Sequence, residues 1–181
     1  MLGHWGGREY SPGPAVIPSM RLTWLRTALL ATALLLVGCD HVTKRVAKAE
    51  LEGGPPRALA AGILDLDYTE NTDSGFGLLR WLSPSIRAPM LTVVQLVGGL
   101  TFLALCLRRR LPAMARLALL LLAGGAFGNG LDRLFRGYVV DFIHLTHWPV
   151  FNVADIYITA GGILLFLAYR RARDGAPATV K

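Results

Sequence analysis

The stretch "LLLVGCDHVTK", Leu34 to Lys44, supports two readings that lead to different molecules. Leu36-Val37-Gly38-Cys39 after an apolar run has the form of a lipobox, at which a bacterial lipoprotein is lipidated on cysteine and cut. Everything before Cys39 would then be discarded. Read as Asp40-x-x-Thr43-Lys44, the same residues are the outer end of a retained membrane helix that offers polar groups to a site. Asp40 and Lys44 stand at i and i+4, so on a helix they form an ion pair, and the simplest role for such a pair is to cap that helix.

The residues downstream favour retention. A membrane-crossing helix needs roughly 20 mostly apolar residues. Four segments fit: about Leu22–Cys39, Pro89–Leu107, Pro112–Leu131 and Val153–Tyr169. A processed lipoprotein would be largely soluble after its cysteine, whereas three further spans follow here. Composition agrees: 53% of the 181 residues are hydrophobic and only 17% charged, which is the membrane class. The net charge of +7 does not call for nucleic acid, because the excess Lys and Arg lie at span ends. Arg8, Arg21 and Arg26 precede the first span, Arg108, Arg109, Arg110 and Arg116 crowd the second link, and Arg170, Arg171, Arg173 and Lys181 follow the fourth. The positive-inside rule then puts both termini in the cytoplasm. Glycine spacings Gly98-Gly99, Gly161-Gly162 and Gly124-x-x-x-Gly128 predict close helix approach. Cys39 and Cys106 both fall in apolar runs, so no disulfide is expected.

Residues 1–19 are rich in Gly and Pro, without periodicity, and are expected to be a disordered tail; Met20 is an alternative start. Residues 20–174 are expected to form one four-helix membrane domain, with a flexible end at 175–181. Two insertions, about 47–86 and 134–151, face outward. "GILDLDYTEN", Gly62–Asn71, alternates like a strand, and "YVVDFIHL" is rich in strand formers. Together they predict a small β-sheet on the periplasmic face. The stretch from Gly75 to Trp81 predicts a short amphipathic surface helix, with Phe76, Leu79 and Trp81 inward, acting as a lid.

Candidate chemistry lies at the outer ends of the spans. Asn129, Asp132 and Arg133 share one helix face; a helix end meeting water would explain them equally. Asn152 suits an N-cap, and Asp155 then falls at N3, where a carboxylate favours the helix dipole. Asp141 is harder to place, because aspartate is a poor strand residue and its neighbours are apolar. Fourteen residues with Pro149 among them separate Asp141 from Asp155. A strand returning to a helix start over that distance would set the two carboxyls side by side. Such a pair shares a proton and can work as an aspartic protease dyad. Asp141-x-x-His144-x-x-His147 has metal-like spacing, but on a strand these side chains alternate between faces, and interfacial histidines near Trp148 are the simpler account. Ser74, Ser83 and Ser85 lack a Ser-His or Ser-Lys context. A transporter is disfavoured because no ionisable residue lies mid-span. A non-catalytic membrane protein that binds or scaffolds remains open.

Taken together, the motifs Asp40-His41-Val42-Thr43-Lys44, Asn71-Thr72-Asp73-Ser74-Gly75-Phe76-Gly77, Gly124 to Arg133, Val139-Val140-Asp141-Phe142 and Phe151-Asn152-Val153-Ala154-Asp155 resemble the lipoprotein signal peptidase family, signal peptidase II. The resemblance runs from about Leu22 to Arg171. It implies a membrane aspartic endopeptidase of the bacterial inner membrane that needs no metal or other cofactor. Its substrates would be diacylglyceryl-modified prolipoproteins, cut just before the lipidated cysteine near the periplasmic face. Asp141 and Asp155 match the catalytic pair. Asn129, Asp132, Arg133 and Asn152 match residues that shape the pocket and hold substrate backbone, and Asp40, Lys44, Asn71 and Gly75 match site-supporting positions. The resemblance also implies inhibition by globomycin-type cyclic peptides. Membrane lipid is an expected partner, nucleic acid is not, and the expected state is a monomer. Asp73 stands where the family usually has glycine, and His41 where glutamine is commoner.

Overall fold

The computed structural model describes residues 19–60, 62–73, 77, 79 and 81–174. Four helices dominate: α1 (Ser19–Leu51), α2 (Pro84–Cys106), α3 (Ala113–Arg136) and α4 (Val153–Asp174). All four are long and apolar enough to cross a membrane. Three short strands, β1 (Arg57–Ala60), β2 (Leu64–Asn71) and β3 (Val139–Leu145), form an antiparallel sheet in the order β1-β2-β3. The chain enters the sheet from the C-terminal ends of α1 and α3 and leaves it into the N-terminal ends of α2 and α4. Both insertions therefore lie at one end of an up-down bundle. The link between α2 and α3, with its arginines, lies at the other end, as do the first and last described residues.

Helix α3 is the axis of the bundle. It buries fourteen of its 24 residues, while α2 buries only Gly99 and Cys106, and α4 only Ala154 and Gly161. The residue types explain this. Large aliphatics point outward, for example Leu34 and Leu35 at 74% and 72% exposure, and small residues face inward. Lipid is as apolar as leucine, so helices in it gain by close backbone approach rather than by hiding leucine. The expected glycine contacts are present, but only one member of each Gly-Gly pair makes them. A Cβ on Gly99 would meet the Phe127 ring and one on Gly161 the Ala118 carbonyl, whereas Gly98 and Gly162 have room. Toward the α2–α3 link, Ala33, Cys106, Leu119 and Leu120 form an apolar core cluster. Cys39 and Cys106 are both free.

Three boundaries differ from the sequence reading. Helix α1 carries Asp40 and Lys44 as expected but runs on past the span end at Cys39 to Leu51, with Asp40, Lys44, Ala47 and Leu51 buried along its inner face. The insertion after it therefore opens past Leu51 rather than at 47. Ala47 and Leu51 pack under Val140 and Phe142 as a second apolar cluster that seats the sheet. Helix α2 starts at Pro84, five residues before Pro89, which lies inside it; its polar first turn reads as loop. Helix α3 continues past Leu131 to Arg136 and stops at Gly137, which adopts φ 82° and donates its N–H to the Arg133 carbonyl, a left-handed helix end that suits glycine. The tail at 1–18, the C-terminal end at 175–181, and Gly75, Phe76, Leu78 and Arg80 of the expected surface helix lie outside the described residues.

Candidate active site

The site begins with the pairing of β2 and β3. Asn71 pairs with Val139 and Thr69 with Asp141, so Asn71 and Asp141 are diagonal neighbours on one face of the sheet. Asn71 Nδ2 donates to Asp141 Oδ2 at 2.7 Å. Asp141 is 2% exposed, a cost that a carboxylate bears only with donors around it.

The chain then returns to the same place. After β3 it turns at His147, which has φ 66°, and Phe151 comes back beside Ile143 with backbone bonds of 2.8 and 2.9 Å. That bridge sets Asn152 and the start of α4 next to Asp141. Asn152 Oδ1 accepts the Asp155 N–H at 3.1 Å, and Asp155 Oδ2 accepts the Asn152 N–H at 3.2 Å, a reciprocal capping arrangement. Asn152 Nδ2 also donates to Asp141 Oδ1 at 2.6 Å. One asparagine thus caps the helix and links the two acids. Asn129 Nδ2 holds the other Asp155 oxygen, Oδ1, at 2.8 Å.

Beneath the acids lies a buried charged cluster. Lys44 Nζ, fully buried, contacts Asp40 Oδ2 at 2.7 Å, Asp132 Oδ2 at 2.9 Å and Asn129 Oδ1 at 2.9 Å. Asp132 also pairs with Arg136 at 3.1 Å. Asp40 Oδ1 accepts the Ala154 N–H at 2.9 Å, so α1 supplies an anion to the positive N-terminus of α4. Two glycines of α3 permit this closeness. A Cβ at Gly128 would stand 2.6 Å from Asp40 Oδ2, and one at Gly125 would strike the Ala154 carbonyl.

The acids open into a cavity of about 320 Å³. Asn71, Gln95, Asn129 and Arg133 share its wall with Asp141, Asp155 and the segment Trp148–Phe151. An apolar groove continues from it along α4, past Trp148, Phe151, Ile156 and Ile163. Arg133 Nη1 donates to Gln95 Oε1 at 2.8 Å and Nη2 to the Asp73 carbonyl at 2.6 Å. Burial, opposed by the Asn71 hydrogen bond and reinforced by the charge of Asp155, pushes the Asp141 carboxyl up to about 6. Two acids beside one cavity, with the proton affinity of Asp141 raised, can divide the roles of base and acid.

Comparison with known proteins matches residues 32–171 to the family described as Signal peptidase (SPase) II. The chain belongs to the signal peptidase II family. It is 37% identical over 134 residues to a lipoprotein signal peptidase of Syntrophomonas wolfei, covering 74% of this chain and 87% of that one. It is 36% identical over 143 residues to one from Moorella thermoacetica, covering 75% and 88%. Its fold is similar to that of a bacterial membrane enzyme solved by the in meso method at 2.3 Å resolution, with TM-score 0.72, 24% identity and coverage of 86% and 95%.

In this signal peptidase II family chain, the described site residues named from sequence converge: Asp40, Lys44, Asn71, Asn129, Asp132, Asp141, Asn152 and Asp155 form one hydrogen-bonded assembly, which Arg133 joins through the Asp73 backbone. Gly75 lies outside the described residues. Two simpler readings are corrected. Asp132 and Arg133, at 1% and 8% exposure, are not charges meeting water at a helix end, and Lys44 is not a local cap, because three partners from two helices surround it. Sequence reasoning did not single out Gln95, Arg136 or Arg87. Gln95 had a signal, as an amide inside the apolar run Thr92–Gly98. Arg87 pairs with Asp73 at 3.2 Å, a contact with no local pattern.

Proposed function

We propose that this chain is an aspartic endopeptidase of the bacterial inner membrane that removes the signal peptide from diacylglyceryl-modified prolipoproteins, cutting just before the lipidated cysteine. The observation that carries the reading is the pair Asp141 and Asp155, joined through Asn152 at the wall of one cavity. In the mechanism, the ionised acid takes a proton from water as its oxygen attacks the scissile carbonyl. The protonated acid donates to the carbonyl oxygen. Collapse of the tetrahedral intermediate returns a proton to the leaving amine of the cysteine. The raised proton affinity of Asp141 is in the direction the acid requires.

Other features support the same reading. The basic link at one bundle end favours termini in the cytoplasm and the cavity near the periplasmic face. The apolar groove along α4 suits a substrate whose signal helix and lipid stay in the bilayer while the peptide bond meets the acids. Those remote contacts would orient the reacting bond. A globomycin-type cyclic peptide would compete for the cavity.

The test is cleavage of a diacylglyceryl-prolipoprotein by the purified protein. Asp141→Asn and Asp155→Asn should each lower the rate by about 10³-fold or more. A relative that binds precursors without cutting would show no parental cleavage at all. Parental turnover in either variant would overturn the dyad.

A further inference from the structure

Among the described residues, Asp73 bonds to three different elements. Its N–H donates to Asn71 Oδ1 at 2.8 Å, its carbonyl accepts Arg133 Nη2 at 2.6 Å, and its carboxylate accepts Arg87 Nη1 at 3.2 Å. These partners belong to β2, α3 and α2. The two ionic side chains are mostly shielded, at 17% and 12% exposure, so their attraction is screened less than that of a surface pair.

We propose that the Asp73 carboxylate is a positioning group for the reaction, fastening the end of β2 to α2 so that Asn71 stays on Asp141 and Arg133 stays on the cavity wall. The argument turns on the orientation of an amide. With Asn71 Oδ1 engaged by the Asp73 N–H, Asn71 Nδ2 is the end left to donate to Asp141 Oδ2. A rotated amide would aim its oxygen at a carboxylate. Any residue at position 73 has the carbonyl, and any but proline the N–H; only an acid there supplies the tie to Arg87. The wall beyond this turn is itself polar, with Thr69, Glu70 and Thr72 beside Arg87 in a second cavity that shares Asn71.

This inference rests on the aspartic reading above, and its test separates the two. The readout is the alkaline limb of the pH profile of kcat, where Asp141 loses the proton it must donate. The charged groups that face Asp141 are Asp155 on α4, Lys44 on α1 and Arg133 on α3, while β2 presents Asn71 and the uncharged Thr69. Loss of the Asn71 bond removes a donor that favours the ionised acid, so Asp73→Ala should move the limb to higher pH, by about half a unit. It should also lower kcat by about tenfold, through misplacement of the wall. If Asp73 acted only as a nearby negative charge, its removal would move the limb to lower pH. The exchanged pair Asp73→Arg with Arg87→Asp should recover most of the lost rate and return the limb toward the parent. A limb that stays put or falls in Asp73→Ala, or an exchanged pair no better than the single variant, would overturn the inference. If Asp73→Ala does not fold, Arg87→Lys, which keeps the charge but not the fork, must reproduce the rate loss and the upward shift in part, and an unchanged profile there overturns it equally. Cleavage by Asp141→Asn in the same preparation would instead defeat the dyad itself.

Discussion

Around Ala33, Leu119 and Cys106, the helices meet through small and aliphatic side chains with no charge among them. A short distance along the same helices, Asp40, Lys44, Asn129 and Asp132 meet through ion pairs and amide bonds, all but fully buried. The first region tolerates adjustment, because dispersion contacts are many and individually weak. The second does not: each buried charge depends on its partners, and removing one leaves the others uncompensated. The end nearer the α2–α3 link holds the helices together, whereas the sheet-bearing end holds a few atoms still.

The most direct way to break this contrast is Lys44→Met. It keeps most of the side-chain volume but leaves Asp40 and Asp132 without their shared cation. We expect a loss of about 3–5 kcal/mol, read by thermal unfolding in detergent, and loss of cleavage. Gly128→Ala pushes a methyl onto Asp40 Oδ2 and should cost about 1–3 kcal/mol, along with much of the activity. A rise in pH probes the same end without mutation. The Asp141 carboxyl, held up to about 6 by burial, loses its proton as pH rises through that value. With Asp141 as the protonated partner of the proposed pair, kcat should then fall about tenfold per pH unit above about 6. A rate that stays flat up to about pH 8 would show that Asp141 is not the group that donates the proton. The smallest effect sharpens the other side: Gly162→Ala, with no atom near its new methyl, should alter stability by no more than about 0.5 kcal/mol.

Much of this was legible from residue types. Four apolar runs separated by basic and polar segments announce the bundle, because the bilayer imposes a length on each run. Asp141 stood out as an acid in an apolar strand, and Asn152 with Asp155 as a helix start. What stayed hidden was long-range. The bond from Lys44 to Asn129 spans 85 positions, and no local pattern records it. For the same reason the first insertion reads as opening too early, at about 47: the helix runs on to Leu51 because Ala47 and Leu51 pack under the sheet. Strand β1, "RALA", is four exposed residues and carries no alternation to detect.

The bond from Asp40 to the Ala154 N–H joins the first helix to the start of the last. During synthesis, Asp40 and Lys44 leave the ribosome long before α4 exists. Until that fourth helix threads into the bilayer, Asp40 has no amide to hold and the proposed dyad lacks its second member. On the proposed dyad, a chain whose fourth helix has not yet entered the bilayer could not cut, so insertion of α4 and assembly of the site are a single event.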